Sequence, residues 1–453
     1  MKKILFILAF LAGPVLISQN VSIPDPNFKS ALIDLGVDTN GDGQIQVAEA
    51  VNFTDPIFVN AENISDMTGI GAFINVTELQ CGGNQITQLD LSGNSSLEKV
   101  NCGNNDIVSL VLGANTNLKR IEMLANPIST IDLSGLPNLE HFDAMVTDFS
   151  SVDVSANLNL QYLNLNNSPV TSVDVTNNLE LRFLNCLETN INTVDVSNNP
   201  LLELLFISFT NVSSLDVTNN PDLKMIALRG LGLSELDLSN NTSLEYIDMR
   251  NNLFTEFDFS IFPNLVGLRV RENLITELDL SANSSLCHFF ADSDALEFIN
   301  VKNGSNELFF SGAGTCSVEI SVGTGFFGLN PAFSATFSDN LEFICVDDVV
   351  FAQQNFNEVP PGVIFIENCE LSVESNSKAK VRLFPNPARE RVTITSGSQI
   401  ESLLIRNTVG QEVISNTAAS NETSIDISGL SAGLYFVEVT SEEGKGVYRL
   451  LKE

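Results

Sequence analysis

A single period governs most of this chain. Stepping by 21 residues from Leu79 gives Leu79, Val100, Ile121, Phe142, Leu163, Leu184, Leu205, Ile226, Ile247, Leu268 and Phe289, all apolar. Seven residues further on, the series from Ile86 and Ile107 to Leu296 is apolar as well, and so is the series from Leu89 to Ile299 at ten. Eighteen residues on, every step from Leu97 to Leu286 is a leucine. No insertion breaks the register. A strict period of this length means one small unit stacked on copies of itself. Such a unit cannot bury its apolar face alone, so its neighbours must cover it. Helices of unrelated lengths around one core are excluded. Each unit is also nested: Leu97, Val100, Cys102 and Asn105 share their spacing with Ile107, Leu110, Leu112 and Asn115. Both halves favour a short strand followed by a turn. The pattern therefore predicts a mostly β fold, a right-handed solenoid with two parallel sheets.

These residues resemble the leucine-rich repeat, L-x-x-L-x-L-x-x-N-x-L. The spacing is similar to the bacterial 21-residue nested class, the IRREKO type. Two polar series accompany the leucines. Asp90, Asp132, Asp153, Asp174, Asp195, Asp216, Asp237, Asp258 and Asp279 share one offset. Stacked carboxylates repel, so each is expected to accept hydrogen bonds in the turn that follows; a calcium ladder is the alternative. Asn94, Asn115, Asn157, Asn178, Asn199, Asn220, Asn241 and Asn283 share another offset and read as internal turn caps.

The flanks carry an address. Met1-Lys2-Lys3, an apolar run from Ile4 to Ile17 and Ser18-Gln19-Asn20 make a secretory signal peptide over residues 1–18. No later stretch reaches the ~18 apolar residues of a membrane span, so no integral span is expected. After Lys378 short alternating runs such as Arg391–Thr395 and Leu434–Val439 predict a small β-sandwich. Phe384-Pro385-Asn386-Pro387-Ala388, Val409-Gly410-Gln411 and Gly429-Leu430-Ser431-Ala432-Gly433-Leu434-Tyr435-Phe436-Val437 resemble the type A C-terminal sorting domain of the type IX secretion system of Bacteroidota. The resemblance implies an Ig-like sandwich, handling by type IX secretion machinery, and release or attachment at the cell surface.

Ahead of the repeat, Asp38-Thr39-Asn40-Gly41-Asp42-Gly43-Gln44-Ile45-Gln46-Val47-Ala48-Glu49 matches D-x-[DN]-x-[DN]-G-x5-E. In such a loop Asp38, Asn40 and Asp42 offer side-chain oxygens, Gln44 a carbonyl and Glu49 a two-oxygen carboxylate to Ca2+. Asn27–Leu35 reads as a helix before it, and any helix after it is short. The expectation is an EF-hand-like cap with structural calcium. The domain organisation is then signal peptide 1–18, N-terminal cap 19–56, solenoid 57–301, degenerate C-terminal cap 302–372, and linker with sorting domain 373–453. Cys81, Cys102 and Cys186 sit at an inward position as small apolar residues. Cys287, Cys316, Cys345 and Cys369 fall in the degenerate tail. Export makes disulfides plausible there, and the pairs expected are Cys345–Cys369 and Cys287–Cys316.

Strand alternation places Tyr162, Phe183, Phe206 and Tyr246 on the outer side of the first sheet, running into Arg229, Arg250, Arg269 and Arg271. These residues are the expected ligand-binding face, for a protein or a glycan. Local charge balance with Asp248 and Glu272 is the competing reading of the arginines. The net charge of −34 argues against nucleic acid and anionic lipid as partners. Of the two histidines, His141 and His288, each is expected to stand alone at the surface, roughly 34 Å apart at strand spacing. No phosphate-binding loop, H-E-x-x-H or G-x-S-x-G occurs. The expectation is an exported, non-catalytic binding or adhesion protein. A passive structural component of the cell surface or matrix is the alternative, and a carboxylate-based glycoside hydrolase a remote one.

Overall fold

The structure, a computed structural model, describes residues 19–113, 115–310, 316–319, 326–367, 369, 381–407, 410–441 and 444–453. The expected signal peptide lies outside them. The chain divides into two units, with the boundary between Ser243 and Leu244.

The first unit opens with a helix, Pro26–Asp34, and a shorter one, Val47–Asn52, as expected from the sequence. Asp25 caps the first helix: its Oδ1 accepts from the N–H groups of Asn27 and Phe28 at 2.9 and 3.0 Å. Its Oδ2 accepts from Ser65 N and Oγ at 2.8 and 2.9 Å, so one carboxylate ties the helix to the first coil. Parallel strands follow, among them Glu78–Gln80, Lys99–Asn101, Arg120–Glu122, His141–Asp143, Tyr162–Asn164, Phe183–Asn185, Leu204–Phe206 and Met225–Ala227. Each pairs with the next at the 21-residue step, as Leu184 does with Leu205 and Leu205 with Ile226. The middle residue of each points inward: Phe142, Leu163, Leu184 and Leu205 are fully buried. Full burial of such side chains is worth about 1.5–3 kcal/mol apiece, which is what drives the stacking.

The second sheet is less continuous than the nested pattern predicts. Gln88–Asp90 and Ser109–Val111 pair in parallel. Farther along this unit the same side keeps single bonds between coils, such as Asn190 N to Val170 O at 2.9 Å and Asn211 N to Ile191 O at 2.9 Å.

Both polar ladders do what the sequence leads one to expect. Asp174 Oδ1 accepts from Thr176 N and Oγ1 at 3.0 and 2.6 Å, and Asp216 treats Thr218 likewise. Asn199 Nδ2 donates to Val175 O and Asn178 O at 3.0 and 2.8 Å, fully buried. A further ladder runs at the exit of the first strand. Asn105 Nδ2 donates to Cys81 O and Cys102 O, and Asn126 Nδ2 to Cys102 O and Met123 O. In the following coils Thr147, Thr189 and Thr210 take over, each hydroxyl donating to the carbonyl three residues back. The residue before this ladder is left-handed in successive coils: Asn104, Ala125, Val146, Asn167, Glu188 and Phe209 have φ between 54° and 57°. Cys81, Cys102 and Cys186 are free and fully buried, as expected; burial pushes the Cys102 and Cys186 thiols up to about 12.

In the second unit Tyr246–Asp248, Gly267–Arg269, His288–Phe290 and Ala332–Ser334 pair in parallel. A second parallel sheet orders Glu277–Asp279, Phe298–Asn300, Phe343–Cys345 and Ile364–Ile366. The degenerate tail thus contributes real rungs to both sheets. The repeated text Leu341–Val346 and Leu296–Val301 is realised as the pairing of Ile344 with Ile299. Between His288 and Ala332 the chain leaves the sheet for an antiparallel hairpin, Ser317–Glu319 with Phe326–Gly328. Both expected disulfides are present, Cys287–Cys316 and Cys345–Cys369, with Cα atoms 5.9 and 5.6 Å apart. The chain ends in an antiparallel sheet of Arg382–Phe384, Arg391–Asn407, Glu412–Asp426, Gly433–Ser441 and Gly444–Lys452. Its core gathers Val392, Ile394, Ile405, Tyr435, Val437 and Leu450. Among the described residues no helix is long and apolar enough to cross a membrane.

Candidate ligand-binding face

A parallel strand shows alternate side chains on alternate faces, so coil stacking turns every outward position into a column. In the first unit one column is aromatic. His141 and Tyr162 stack with ring centroids 3.9 Å apart and planes 13° from parallel. Tyr162 and Phe183 stack at 4.1 Å and 8°, and Phe206 meets Phe183 edge-on at 5.7 Å. Tyr162, Phe183 and Phe206 are half-buried, so the structure brings three of the expected face residues together. The faces of Tyr162 are covered by His141 and Phe183, which leaves its ring edges, and its hydroxyl lies 3.5 Å from Asn164 Nδ2.

Polar groups flank the column. Asn101 Nδ2 donates to Glu122 Oε2 at 2.6 Å, and Arg120 pairs with Glu122 on the same strand. Burial pushes the Asp143 carboxyl up, partly offset by the Met145 N–H and the Asn164 amide. Burial, with Asp143 nearby, raises the Tyr162 phenol to about 12. The expectation of lone surface histidines does not hold. The His141 side chain is only 13% exposed and lies 4.0 Å from Glu122. Burial first, and then the Arg120 charge, lowers its pKa to about 3, so the ring is neutral at physiological pH.

In the second unit the same face is largely taken by the chain itself. Tyr246 is 5% exposed and is thereby removed from the expected ligand face. Leu329, just past the hairpin, meets it over Gly267: a methyl on Gly267 would lie 2.6 Å from Tyr246 Cδ2 and 2.7 Å from Leu329 Cδ1. His288 is buried too, against the expectation. Arg269 Nε donates to His288 Nε2 at 2.9 Å, so the opposite nitrogen, Nδ1, carries the proton given to Asn330 O at 2.7 Å. Arg269 also stands 5.9 and 5.5 Å from the Tyr246 and Phe290 rings.

The other arginines have local partners. Arg250 Nε donates to Asp248 Oδ1 at 2.8 Å, and Arg271 Nε pairs with Asp292 Oδ2 at 2.6 Å. Arg229, in the first unit, stands 4.8 Å over the Phe209 ring. Local charge balance therefore accounts for Arg250, through the Asp248 partner expected, and for Arg271 through Asp292 instead of Glu272. The 21-residue step sets Asp292, which is 3% exposed, directly after Arg271, but sequence reading named only the neighbours Asp248 and Glu272 as partners.

The twelve-residue loop of the N-terminal segment closes on itself. Asp38 Oδ1 accepts from Gly41 N at 2.9 Å and Oδ2 from Gly43 N at 2.8 Å. Asn40 Oδ1 accepts from Asp42 N, and Asp42 Oδ1 from Gln44 N. Glu49, 9% exposed, accepts from Thr39 N and Oγ1 through Oε1 and from Gln46 N through Oε2. Gln44 Oε1 takes a bond from Lys29 Nζ. Among the described residues no group of three or more His, Cys, Asp or Glu is placed to hold one metal ion.

Residues 382–453 match the secretion system C-terminal sorting domain. This type IX signal makes the chain a secreted or cell-surface protein that engages the secretion machinery. In structure the chain is similar to the functional domain of InlJ from Listeria monocytogenes, described as including a cysteine ladder. Identity is 21%, the TM-score is 0.58, and the match covers 96% of this chain and 98% of that one. An internalin, inlF, from the same organism is 18% identical at a TM-score of 0.56, over 79% of this chain and 99% of that one. These likenesses show the fold, a mostly β solenoid of the leucine-rich-repeat kind. No curated protein matches the chain in sequence.

Proposed function

We propose that this chain is an exported binding protein whose solenoid recognises a protein ligand, without catalysis, through the outer face of its first unit. The observation that carries the reading is the stacked column His141–Tyr162–Phe183 with Phe206 edge-on beside it. Half-exposed aromatics with a hydroxyl are the residue type that concentrates binding energy at interfaces. A sugar is gripped by the flat face of a ring, and here neighbouring rings occupy both faces of Tyr162 and one face of Phe183. The rings present edges, which are apolar and weakly positive. Edges suit aliphatic side chains and main-chain carbonyls, so of the two expected ligand classes a protein is favoured over a glycan. The internalin-like fold is consistent with such a role.

The test is an array of surface proteins and glycans probed with the exported chain and with Tyr162→Ala and Phe183→Ala. A bound protein should be lost by about tenfold in each variant, with melting little changed. Retention indifferent to both substitutions sinks the reading. The paired state of Arg250 and Arg271 favours a second one, a passive component of the surface or matrix. In that case deletion alters cell cohesion while the array stays blank.

The finer architecture belongs to the same reading: the 21-residue nested class, a calcium-bearing N-terminal cap over residues 19–56, and an Ig-like sandwich at the end. The donors at Asp38, Asn40, Asp42, Gln44 and Glu49 are hard oxygens, which suit calcium and not zinc. Calcium there would cross-link the loop between the two helices. Calcium should raise the melting temperature of the chain, and Glu49→Gln should abolish that rise; a rise unchanged in the variant removes the site.

A further inference from the structure

The second parallel sheet of the second unit changes character along its length. Its first strand, Glu277–Asp279, shows charged, exposed residues on the outside. The next strands carry Phe298, Phe343 with Cys345, and Ile364 with Ile366 at the outward positions, beside inward Ile299 and Ile344. A strand apolar on both sides is a strand buried on both faces. Phe298 is 7% and Phe343 3% exposed, so something covers them.

The cover is the sorting domain. In its strand Gly433–Ser441, Tyr435, Val437 and Val439 enter the domain's own core. Leu434 and Phe436 point the other way, yet are only 7% and 6% exposed. They pack with Phe298, Phe343, Cys345 and Ile366, joined by Ile364 and Val447. Arg449 closes the edge: its guanidinium lies 4.6 Å over the Phe343 ring, and Nη1 donates to Glu342 at 2.8 Å. Each partner thus carries an apolar strip that a freely swinging tail and a bare solenoid end would leave in water, which is unfavourable for both.

We propose that the sorting domain is a docked part of the last coils. It shields the outer face of their second sheet and hides its own Leu434 and Phe436. Any receptor that reads this strip must first lift the domain off, and a chain that has lost the domain exposes Phe298, Phe343 and Ile364. This inference is independent of the ligand reading.

The sequence contains no tryptophan, so Phe436→Trp places a single fluorescent reporter in the full chain. Docking makes its emission blue-shifted and poorly quenched by acrylamide. Adding Arg449→Glu or Phe343→Glu should raise quenching several-fold, and Glu342→Arg should restore shielding to the Arg449→Glu chain. A rise with Phe343→Glu alone, in a chain that keeps its far-ultraviolet circular dichroism, supports docking carried by the apolar contact. Arg449 and Glu342 are partly exposed, so their variants remain folded by far-ultraviolet circular dichroism even where Phe343→Glu does not. The proposal is overturned if the indole reporter is quenched as freely in the otherwise native chain as in urea, or if neither Arg449→Glu nor Phe343→Glu changes the quenching.

Discussion

Asp25 shows how much one side chain can hold. It caps a helix with one oxygen and binds the first coil with the other, bonding Ser65 and Asp66 across forty residues of sequence. Burial pushes its pKa up, but the bonds from Ser65, Phe28 and Asp66 outweigh burial and hold it below the usual carboxylate value. The stabilisation is therefore complete above the unfolded value near 3.9 and fades as pH falls through the lower folded value. Asp25→Ala should cost about 1–3 kcal/mol in urea denaturation at neutral pH. The variant should also lose part of the acid sensitivity seen below about pH 4. The periodic polar residues were legible beforehand, because a buried Asn that returns in register has one use, capping a turn. The ladder at the strand exit was legible at Asn105 but not beyond, since its identity changes from Asn126 to Thr147 while its role persists. A hydroxyl and an amide can both satisfy a carbonyl, and a search by residue name passes over the exchange.

At the level of elements, the strand alternation put Tyr162, Phe183 and Phe206 on one outward side, the first two in one column and Phe206 in the next. It also put Tyr246 on that outward side, where Leu329, just past the hairpin, comes down beside it. That hairpin comes from the stretch where the period is lost, so nothing in the repeat announces it. Gly267 is the mark it leaves: the position that carries Tyr162 or Phe183 in earlier coils is emptied where Leu329 comes down. Gly267→Ala should overpack this point at a cost of about 1–3 kcal/mol. In a double-mutant cycle with Leu329→Ala the two losses should fall short of additive, because the smaller side chain makes room for the added methyl. Additive losses in urea titration would separate the two residues. The ring column itself was readable as apolar and aromatic, but its stacked geometry, which argues for protein over sugar, needed coordinates.

For the whole molecule, the recurring 21-residue register is the organising fact. Each interior coil of the first unit hands the same bonds to the next, with stability a sum of coils and their interfaces. Deleting residues 180–200 joins two coils in register and should leave a folded chain with one fewer rung and a cooperative melt. A deletion one residue shorter leaves a single coil of 22 residues and should lower the melting temperature more than the 21-residue deletion while the other coils keep their register, as circular dichroism would show. The left-handed bend repeats with the same regularity, and it has a practical side. Val146 and Phe209 hold φ values of 57°, uncomfortable for bulky side chains, yet both are more than 40% exposed. Each leaves much of its side chain in water against its strained backbone, although the Phe209 ring carries Arg229. Glycine at these bends would relieve local crowding, while a cysteine there would give a dye or a resin a ready handle on the rim.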